Sequence, residues 1–498
     1  MRVRQLAPEA VLHGLQSAAS IADTGNVVGS PGVAKRRAMA HRVLCSILGL
    51  LFVLGMPAFA EDAAGDWIGE LKGGFKVRVH IDKTATGYRG RLINQSGNAT
   101  SLDQVSSDEQ HLQFAVAKLN LNYDGAWDDE KKIWDGKLRF QQIYPLTLKR
   151  ATAADLAPTV HRRPQEAAIS AGPLPYTERE VRFDNAASHN QLAGTLTVPD
   201  GKGPFPAVVL VSGTGHNTRD EDVWGHKVFL VLADALSRRG LAVLRYDKRG
   251  VGGSTGDYDT ATTADFTSDA GAAVSWLKAQ PQVDPLHVGV LGHSEGGIIA
   301  PAVAARDKSV SFVVMIAGPG IRGDRLFVLQ SAMTAKAYGA PDDYIARRKV
   351  FDQKLFDAVT SAPSDARALA RAKRLVAQAV ADKIVDPAEA ETLPGEATRR
   401  WERYFLAYDP APALTRLTVP VLALNGSLDV QVPPKEDLAA IGRALMANRD
   451  ATIVELPGMN HLLQDARTGA PSEYNDIEET ISPVALKLIS DWISVHSK

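Results

Sequence analysis

A serine flanked by glycines lies at residues 292–296, in the order Gly-His-Ser-Glu-Gly. A serine hydroxyl can attack a carbonyl group only where it is exposed, and a sharp turn from a strand into a helix exposes it. Glycines two residues to either side leave room for that turn. An apolar run at 288–291 precedes the motif, and apolar residues at helical spacing follow it through residue 306. Ser294 is therefore predicted to be a nucleophile; the alternative is a glycine-rich turn with an idle serine.

A serine nucleophile also needs a histidine to accept its proton and a carboxylate to orient that histidine. Asp429 follows the apolar stretch 420–424, and His461 follows a second apolar stretch at 451–456. Each residue has a plain alternative, since an aspartate after Gly-Ser often forms a turn and His461 is one of 12 histidines. The order serine, aspartate, histidine is that of the α/β-hydrolases. We predict Asp429 and His461 as the other two catalytic residues.

The oxyanion that forms when serine attacks a carbonyl needs backbone N–H donors. One donor is predicted to be the amide of Glu295, directly after the serine, and the other to lie in Val-Ser-Gly-Thr-Gly at 211–215. In that loop the Thr214 amide is favoured and the Gly213 amide is second. The alternative for this loop is an ordinary glycine turn.

A second glycine-rich segment, Tyr-Asp-Lys-Arg-Gly-Val-Gly-Gly-Ser at 246–254, suggests phosphate binding at first sight. It has neither a Gly-Lys-Ser/Thr ending nor a Gly-x-Gly-x-x-Gly pattern, so nucleotide binding is not expected. We interpret it as a structural turn in which Asp247 and Arg249 hold neighbouring loops. No metal ion or organic cofactor is expected.

The elements that position these residues follow from the apolar pattern. Several short, continuously apolar runs alternate with helical segments from residue 176 onward, which predicts a mostly parallel sheet with helices on both faces. About 100 residues with long helical stretches separate two of these strands, and we predict a helical cap at about 320–410. The domain 176–498 is thus expected to be α/β.

Residues 61–150 show a different pattern, in which apolar and polar residues alternate with period two. This pattern predicts a small antiparallel β domain with turns that include 135–136. Its tryptophans Trp67, Trp127 and Trp134 form either a core or a sugar-binding platform, and a core is favoured. Residues 151–175 are rich in alanine and proline and are predicted to be a linker.

The segment 1–60 is predicted to be an N-terminal extension and a signal peptide. Basic residues, the short apolar run 43–53 and Ala58-x-Ala60 predict export to the periplasm or the exterior, with cleavage before Glu61. Translation starting at Met39 would remove an unusual extension. Cys45, the single cysteine, would be lost with the signal, which leaves no disulfide.

The composition excludes some classes of partner. The chain has 498 residues, 45% of them hydrophobic, and its 56 basic residues nearly match its 57 acidic ones. Such a balance provides no field for gathering nucleic acid or an anionic membrane. A small-molecule ester is the expected partner, with no membrane span after cleavage.

Residues 176–498 resemble the α/β-hydrolase superfamily in the serine motif, the turn at 247–254, the loop 425–433 that contains Asp429 (the acid loop) and the loop 457–461 that contains His461 (the histidine loop). Ser-Gly-Thr-Gly at 212–215, followed by Arg219 and Asp220, is similar to bacterial EstD-type carboxylesterases, which are grouped with serine aminopeptidase-like hydrolases. The resemblance implies an exported serine carboxylesterase that works through an acyl-enzyme. The alternatives are a peptidase or acyl-CoA thioesterase with the same triad, or an inert protein that binds the cell envelope.

Overall fold

The computed structural model describes residues 62–71, 76–93, 99–108, 110–117, 121–140, 142–156, 161–387 and 389–498. The predicted signal peptide lies outside the described residues. Within the described residues, no helix is long and apolar enough to cross a membrane.

The N-terminal part is an antiparallel β domain. Its strands pair in the order β4-β3-β2-β1-β9-β8-β7-β6-β5 in one sheet. These strands are β1 (Gly65–Glu70), β2 (Lys76–Thr84), β3 (Gly87–Ile93), β4 (Ala99–Ser101), β5 (Gln104–Ser107), β6 (His111–Val116), β7 (Leu121–Asp128), β8 (Ile133–Phe140) and β9 (Gln142–Arg150).

Alternating apolar residues of this sheet face one common interior. In β6, Leu112, Phe114 and Val116 are buried while their neighbours are more exposed, as expected for a strand with one apolar face. Trp67 and Trp134 are fully buried and meet edge to face at 6.0 Å between ring centroids. Their interpretation as core residues is therefore confirmed, and they do not form an exposed platform.

The predicted turn at 135–136 is wrong, because both residues lie inside β8. The chain turns instead at 129–132, where Lys132 has a φ of 57°. Gly136 pairs with Gly125 across the sheet, and a Cβ on Gly136 would lie 2.8 Å from the Tyr123 ring. This glycine makes room for the backbone of the neighbouring strand β7 and for the Tyr123 ring, and it does not form a turn.

The segment predicted as a linker contains two short helices, α1 (Ala153–Leu156) and α2 (Pro164–Ala171). Arg163 donates to the backbone carbonyls of Trp224 at 2.9 Å and of Asn475 at 3.1 Å. Gln165 accepts from the Thr480 amide at 2.7 Å. These side chains fix the segment to the following domain, although it has no hydrophobic period.

The second domain is built on an eight-stranded, mostly parallel sheet in the order β10-β11-β15-β12-β16-β17-β18-β19. Only the pairings of β10 with β11 and of β11 with β15 are antiparallel. The strands are β10 (Tyr176–Asn185), β11 (Asn190–Pro199), β12 (Phe205–Val211), β15 (Ala242–Tyr246), β16 (Val283–His293), β17 (Val313–Ile316), β18 (Val421–Gly426) and β19 (Ala451–Leu456). A separate two-stranded ribbon consists of β13 (Asp222–Val223) and β14 (His226–Lys227).

Helices cover both faces of this sheet, as the continuous apolar strands predict. Val208 and Leu210 of β12 pack on one face, whereas Val209 and Val211 pack on the other. The covering helices are α3 (Val228–Ser237) and α13 (Pro483–His496) on the first face, and α4 (Thr263–Lys278), α5 (Gly296–Arg306) and α12 (Pro434–Ala444) on the second.

A helical insertion separates β17 from β18. Its helices are α6 (Gly323–Ala337), α7 (Asp342–Thr360), α8 (Asp365–Ala381), α9 (Glu389–Ala397) and α10 (Arg400–Ala407), and the short α11 (Ala411–Leu414) leads back to the sheet. The insertion has its own buried cluster, which includes Phe351, Leu355 and Val376.

Candidate active site

Ser294 lies on the sharp turn between β16 and α5. Its φ is 53°, a left-handed conformation that L-residues rarely adopt. A Cβ on Gly292 would lie 1.8 Å from the Gly296 carbonyl oxygen, and one on Gly296 would lie 1.9 Å from that of Val211. The structure therefore explains both glycines of the motif by contacts that exclude any side chain.

Asp429 and His461 follow β18 and β19, at the same end of the sheet as Ser294. The Asp429 Oδ2 atom lies 2.7 Å from His461 Nδ1. Its Oδ1 atom accepts from the Gln431 amide at 2.7 Å and the Val432 amide at 2.9 Å. The buried carboxylate is thus held by the backbone and accepts the Nδ1 proton, which leaves His461 Nε2 as a proton acceptor.

Ser294 and His461 line one cavity of about 420 Å³. Asp429 lies behind the histidine, away from the cavity. Among the described residues, the Ser294 hydroxyl has no hydrogen-bond partner, and none joins it to His461. Contacts of this kind are often long in an empty site and shorten when a substrate binds.

The two favoured oxyanion donors also line this cavity. The amides of Thr214 and Glu295 have no hydrogen-bond partner among the described residues. The Gly213 amide, our second choice in that loop, donates to Glu221 Oε1 at 2.5 Å. It is therefore already occupied and cannot also bind an oxyanion.

Comparison with known proteins identifies the family of this chain. The sequence model of the alpha/beta hydrolase family matches residues 208–476, more than half of the chain. The chain belongs to the alpha/beta hydrolase family.

Individual members of the family extend the comparison. The chain is 30% identical to Esterase EstD of Thermotoga maritima over 60% of its own length and 65% of the esterase. It is 27% identical to Esterase FrsA of Yersinia enterocolitica over 43% of its length and 53% of that protein. It thus spans less than two thirds of each of these relatives. The solved structure of the alpha/beta hydrolase GrgF from Penicillium is 19% identical with a TM-score of 0.41, covering 64% of this chain and 99% of that one.

The chain also contains two charged residues near the serine, Glu221 and Lys248, that the sequence did not single out. Glu221 pairs with His293, and Lys248 pairs with Glu295, at 3.0 Å in each case. Burial disfavours the charged form of His293, but the Glu221 carboxylate and the hydrogen bond to the His461 carbonyl raise its pKa above the ordinary value. In the sequence, the signal for these residues is weak: Lys248 stands two residues after the buried strand β15, and Glu295 directly precedes Gly296.

The turn at 246–254 has the structural role that we predicted. Asp247 accepts from the Arg219 guanidinium at 2.9 Å and from the Gly253 amide at 2.9 Å. Arg249 donates to Asp269 at 2.6 Å. Within the described residues, no group of three or more histidine, aspartate or glutamate side chains is arranged to hold a metal ion.

Proposed function

We propose that this chain is an exported serine hydrolase that cleaves carboxylic esters through an acyl-enzyme, with Ser294, His461 and Asp429 as its triad. The observation that carries the proposal is the Asp429–His461 hydrogen bond of 2.7 Å behind a cavity that also contains Ser294 on its strained turn. The names of the esterase relatives agree with it.

In this mechanism Ser294 Oγ attacks the ester carbonyl carbon while His461 Nε2 takes the hydroxyl proton. The Asp429 carboxylate stabilises the imidazolium that forms. The Thr214 and Glu295 amides donate to the oxyanion. When the C–O bond breaks, His461 returns the proton to the leaving alcohol. A water molecule then attacks the acyl carbon and gives a proton to His461. When the bond to Ser294 breaks, His461 returns that proton to Ser294 Oγ and the acid leaves.

We further propose that the helical insertion acts as a cap that shapes the substrate pocket. Leu326 and Phe327 of α6 and Phe405 of α10 line the same cavity as Thr214. An apolar wall of this kind suits an acyl chain or an apolar alcohol. No lysine or arginine lines the cavity within the described part of the chain, which disfavours strongly anionic substrates such as acyl-CoA.

Replacing Ser294 with alanine tests the proposal. The variant is expected to lose a factor of about 10^3 to 10^6 in kcat on p-nitrophenyl acetate and butyrate, because serine and histidine act as one unit. Aminoacyl anilides and acyl-CoA, assayed beside these esters, separate the peptidase and thioesterase alternatives. Ser275→Ala, at an exposed serine of α4, is the matched control. Ester turnover that persists in Ser294→Ala would contradict the assignment.

Export is proposed from the sequence of residues 43–60. N-terminal sequencing of protein recovered outside the cytoplasm is expected to begin at Glu61. A mature protein that retains Cys45 would contradict the cleavage.

A further inference from the structure

Both peptide groups of Gly213 are held by buried charged side chains. The Gly213 amide donates to Glu221 Oε1 at 2.5 Å, and the Gly213 carbonyl accepts from Lys248 Nζ at 2.6 Å. Only 1% of Glu221 and 3% of Lys248 is exposed. Asn217 adds a third hydrogen bond of 2.8 Å to the same carbonyl. This loop residue therefore has little freedom to rotate.

The partners of these two charges are the residues on either side of the nucleophile. Glu221 pairs with His293, which precedes Ser294, and Lys248 pairs with Glu295, which follows it. The His293 ring also reaches the backbone carbonyl of His461 at 3.1 Å. The loop that contains Gly213 is thus tied to the serine turn from both sides, and through His293 to the histidine loop.

The hydrogen bond from Lys248 sets the direction of the Thr214 amide. The Gly213 carbonyl and the Thr214 N–H belong to one trans peptide unit, so they point in opposite directions. When the Gly213 carbonyl points toward Lys248, the Thr214 N–H must point away from Lys248. Thr214 is a proposed oxyanion donor, and the direction of its N–H decides whether it can serve as one.

Lys248 also acts on the second proposed donor, Glu295. The Glu295 carboxylate accepts from Lys248 at 3.0 Å, from Thr263 at 2.8 Å and from the Trp401 indole at 2.8 Å. With its side chain fixed on three sides, the residue that supplies the other amide cannot shift independently of the loop.

The loop and the serine turn are in direct contact at Gly213. A Cβ on this residue would lie 2.9 Å from Ser294 Cβ and 3.2 Å from Glu221 Oε1. Because no space separates the two segments, a small displacement of the loop changes the distance between donor and nucleophile.

We propose that the ion pairs Glu221–His293 and Lys248–Glu295 form a clamp on Gly213 that aims the Thr214 amide at the oxyanion. The four side chains are positioning residues. The proposal rests on the proposed function, since it assigns a role to residues around that same site. Buried ion pairs contribute little to stability compared with apolar residues, whereas fixed dipoles in a dry site contribute strongly to catalysis.

Lys248→Met tests the clamp, because it removes the cation and keeps the length of the side chain. We expect kcat on p-nitrophenyl butyrate to fall about 10- to 100-fold while KM changes less than about threefold, since the donor acts on the transition state. The affinity for butylboronic acid, which forms a tetrahedral adduct with serine, should fall in parallel with kcat. Replacing a residue that only stabilises the fold would not lower kcat and the affinity for butylboronic acid in parallel.

Two further variants keep the test decisive. Glu295→Gln keeps the shape of the side chain and an acceptor for Thr263 and Trp401. It should lower kcat and boronate affinity by about tenfold. This variant tests the clamp even if Lys248→Met does not fold. Arg249→Met is the matched control, because the adjacent Arg249 forms a buried ion pair with Asp269 away from Gly213. It should lower thermal stability and keep kcat within about threefold of the wild type.

The outcomes are distinguishable. If folded Lys248→Met and Glu295→Gln retain wild-type kcat and boronate affinity, or if Arg249→Met loses as much as they do, the clamp is wrong while ester hydrolysis by Ser294 stands. If the wild type turns over no faster than Ser294→Ala, the proposed function fails and the clamp fails with it.

Discussion

Asp437 is a buried acid that lies close to the acid loop but does not contact the cavity. At the start of α12, its Oδ1 accepts from the amides of Gly320 at 2.6 Å and Ile321 at 3.0 Å. Burial raises the pKa of Asp437 to about 7, although these amides oppose the rise. The carboxyl group therefore connects the start of α12 to the loop at 320–321, at the cost of holding a charge in the interior at high pH.

This residue predicts a pH dependence of stability. A folded pKa above the unfolded value of about 3.9 means that ionising Asp437 destabilises the folded state as pH rises from about 4 to about 7. Asp437→Asn keeps the acceptor oxygen and avoids this cost. Above pH 7 the substitution should therefore raise the free energy of unfolding by at most about 4 kcal/mol. Urea unfolding of both proteins at pH 5 and pH 8 should therefore show a larger advantage of the variant at pH 8.

Asp382→Asn, at an exposed aspartate of the insertion, is the control for the loss of a carboxyl group. An advantage of Asp437→Asn that is equal or smaller at pH 8 would contradict the raised pKa.

At the residue scale, the three catalytic candidates can be predicted because of their positions after strands of a parallel sheet. Ser294 directly follows β16, while Asp429 and His461 lie in the loops after β18 and β19, and parallel strands carry such residues to one edge of a sheet. Glu221 and Lys248 could not be found in this way. Their roles depend on partners in distant loops, and a charged residue in a loop is normally exposed.

The helical insertion contributes Leu326, Phe327 and Phe405 to the wall of the cavity. Phe327 of α6 lines the cavity and stacks on Phe405 of α10 at 5.0 Å between ring centroids. Trp401 of α10 joins the insertion to the serine turn through Glu295. The insertion is thus attached to the site by both apolar and polar contacts.

Phe327→Ala should widen the pocket and favour longer acyl chains. The ratio of kcat/KM for p-nitrophenyl octanoate to that for the acetate is expected to rise about fivefold or more, because each accommodated methylene contributes binding energy. A series of esters from acetate to octanoate measures this change.

Val328→Ala is the matched control, since Val328 is the next residue and packs into the interior of the insertion. This variant should lose stability and keep the wild-type ratio. An unchanged ratio in Phe327→Ala would show that α6 does not form the acyl wall.

Elements differ in how well the sequence predicts them. The boundaries of β19 match the apolar stretch at 451–456, because this strand ends where its apolar residues end. The prediction of a turn at 135–136 is wrong because Gly136 makes room for β7 and the buried Tyr123 ring. Local sequence does not show these contacts. Helix α2 was missed because polar side chains rather than an apolar face hold it.

At the scale of the whole molecule, the β domain is packed against the hydrolase domain. Tyr338, at the end of α6, and Ala470 are buried in the core of the β domain. Trp224 packs against the cores of both domains and lines the cavity. The β domain therefore supports a wall of the site. The sequence could not predict this contact, since nothing in it marks which surfaces of two domains meet.

The most direct test of the central claim is reaction of the full chain with a fluorophosphonate, read by intact mass and peptide mapping. The account predicts a single adduct on Ser294, within residues 279–306, and labelling slowed at least about 10^3-fold in His461→Gln. A folded wild-type protein that stays unlabelled, or one that is labelled on another serine, would contradict it.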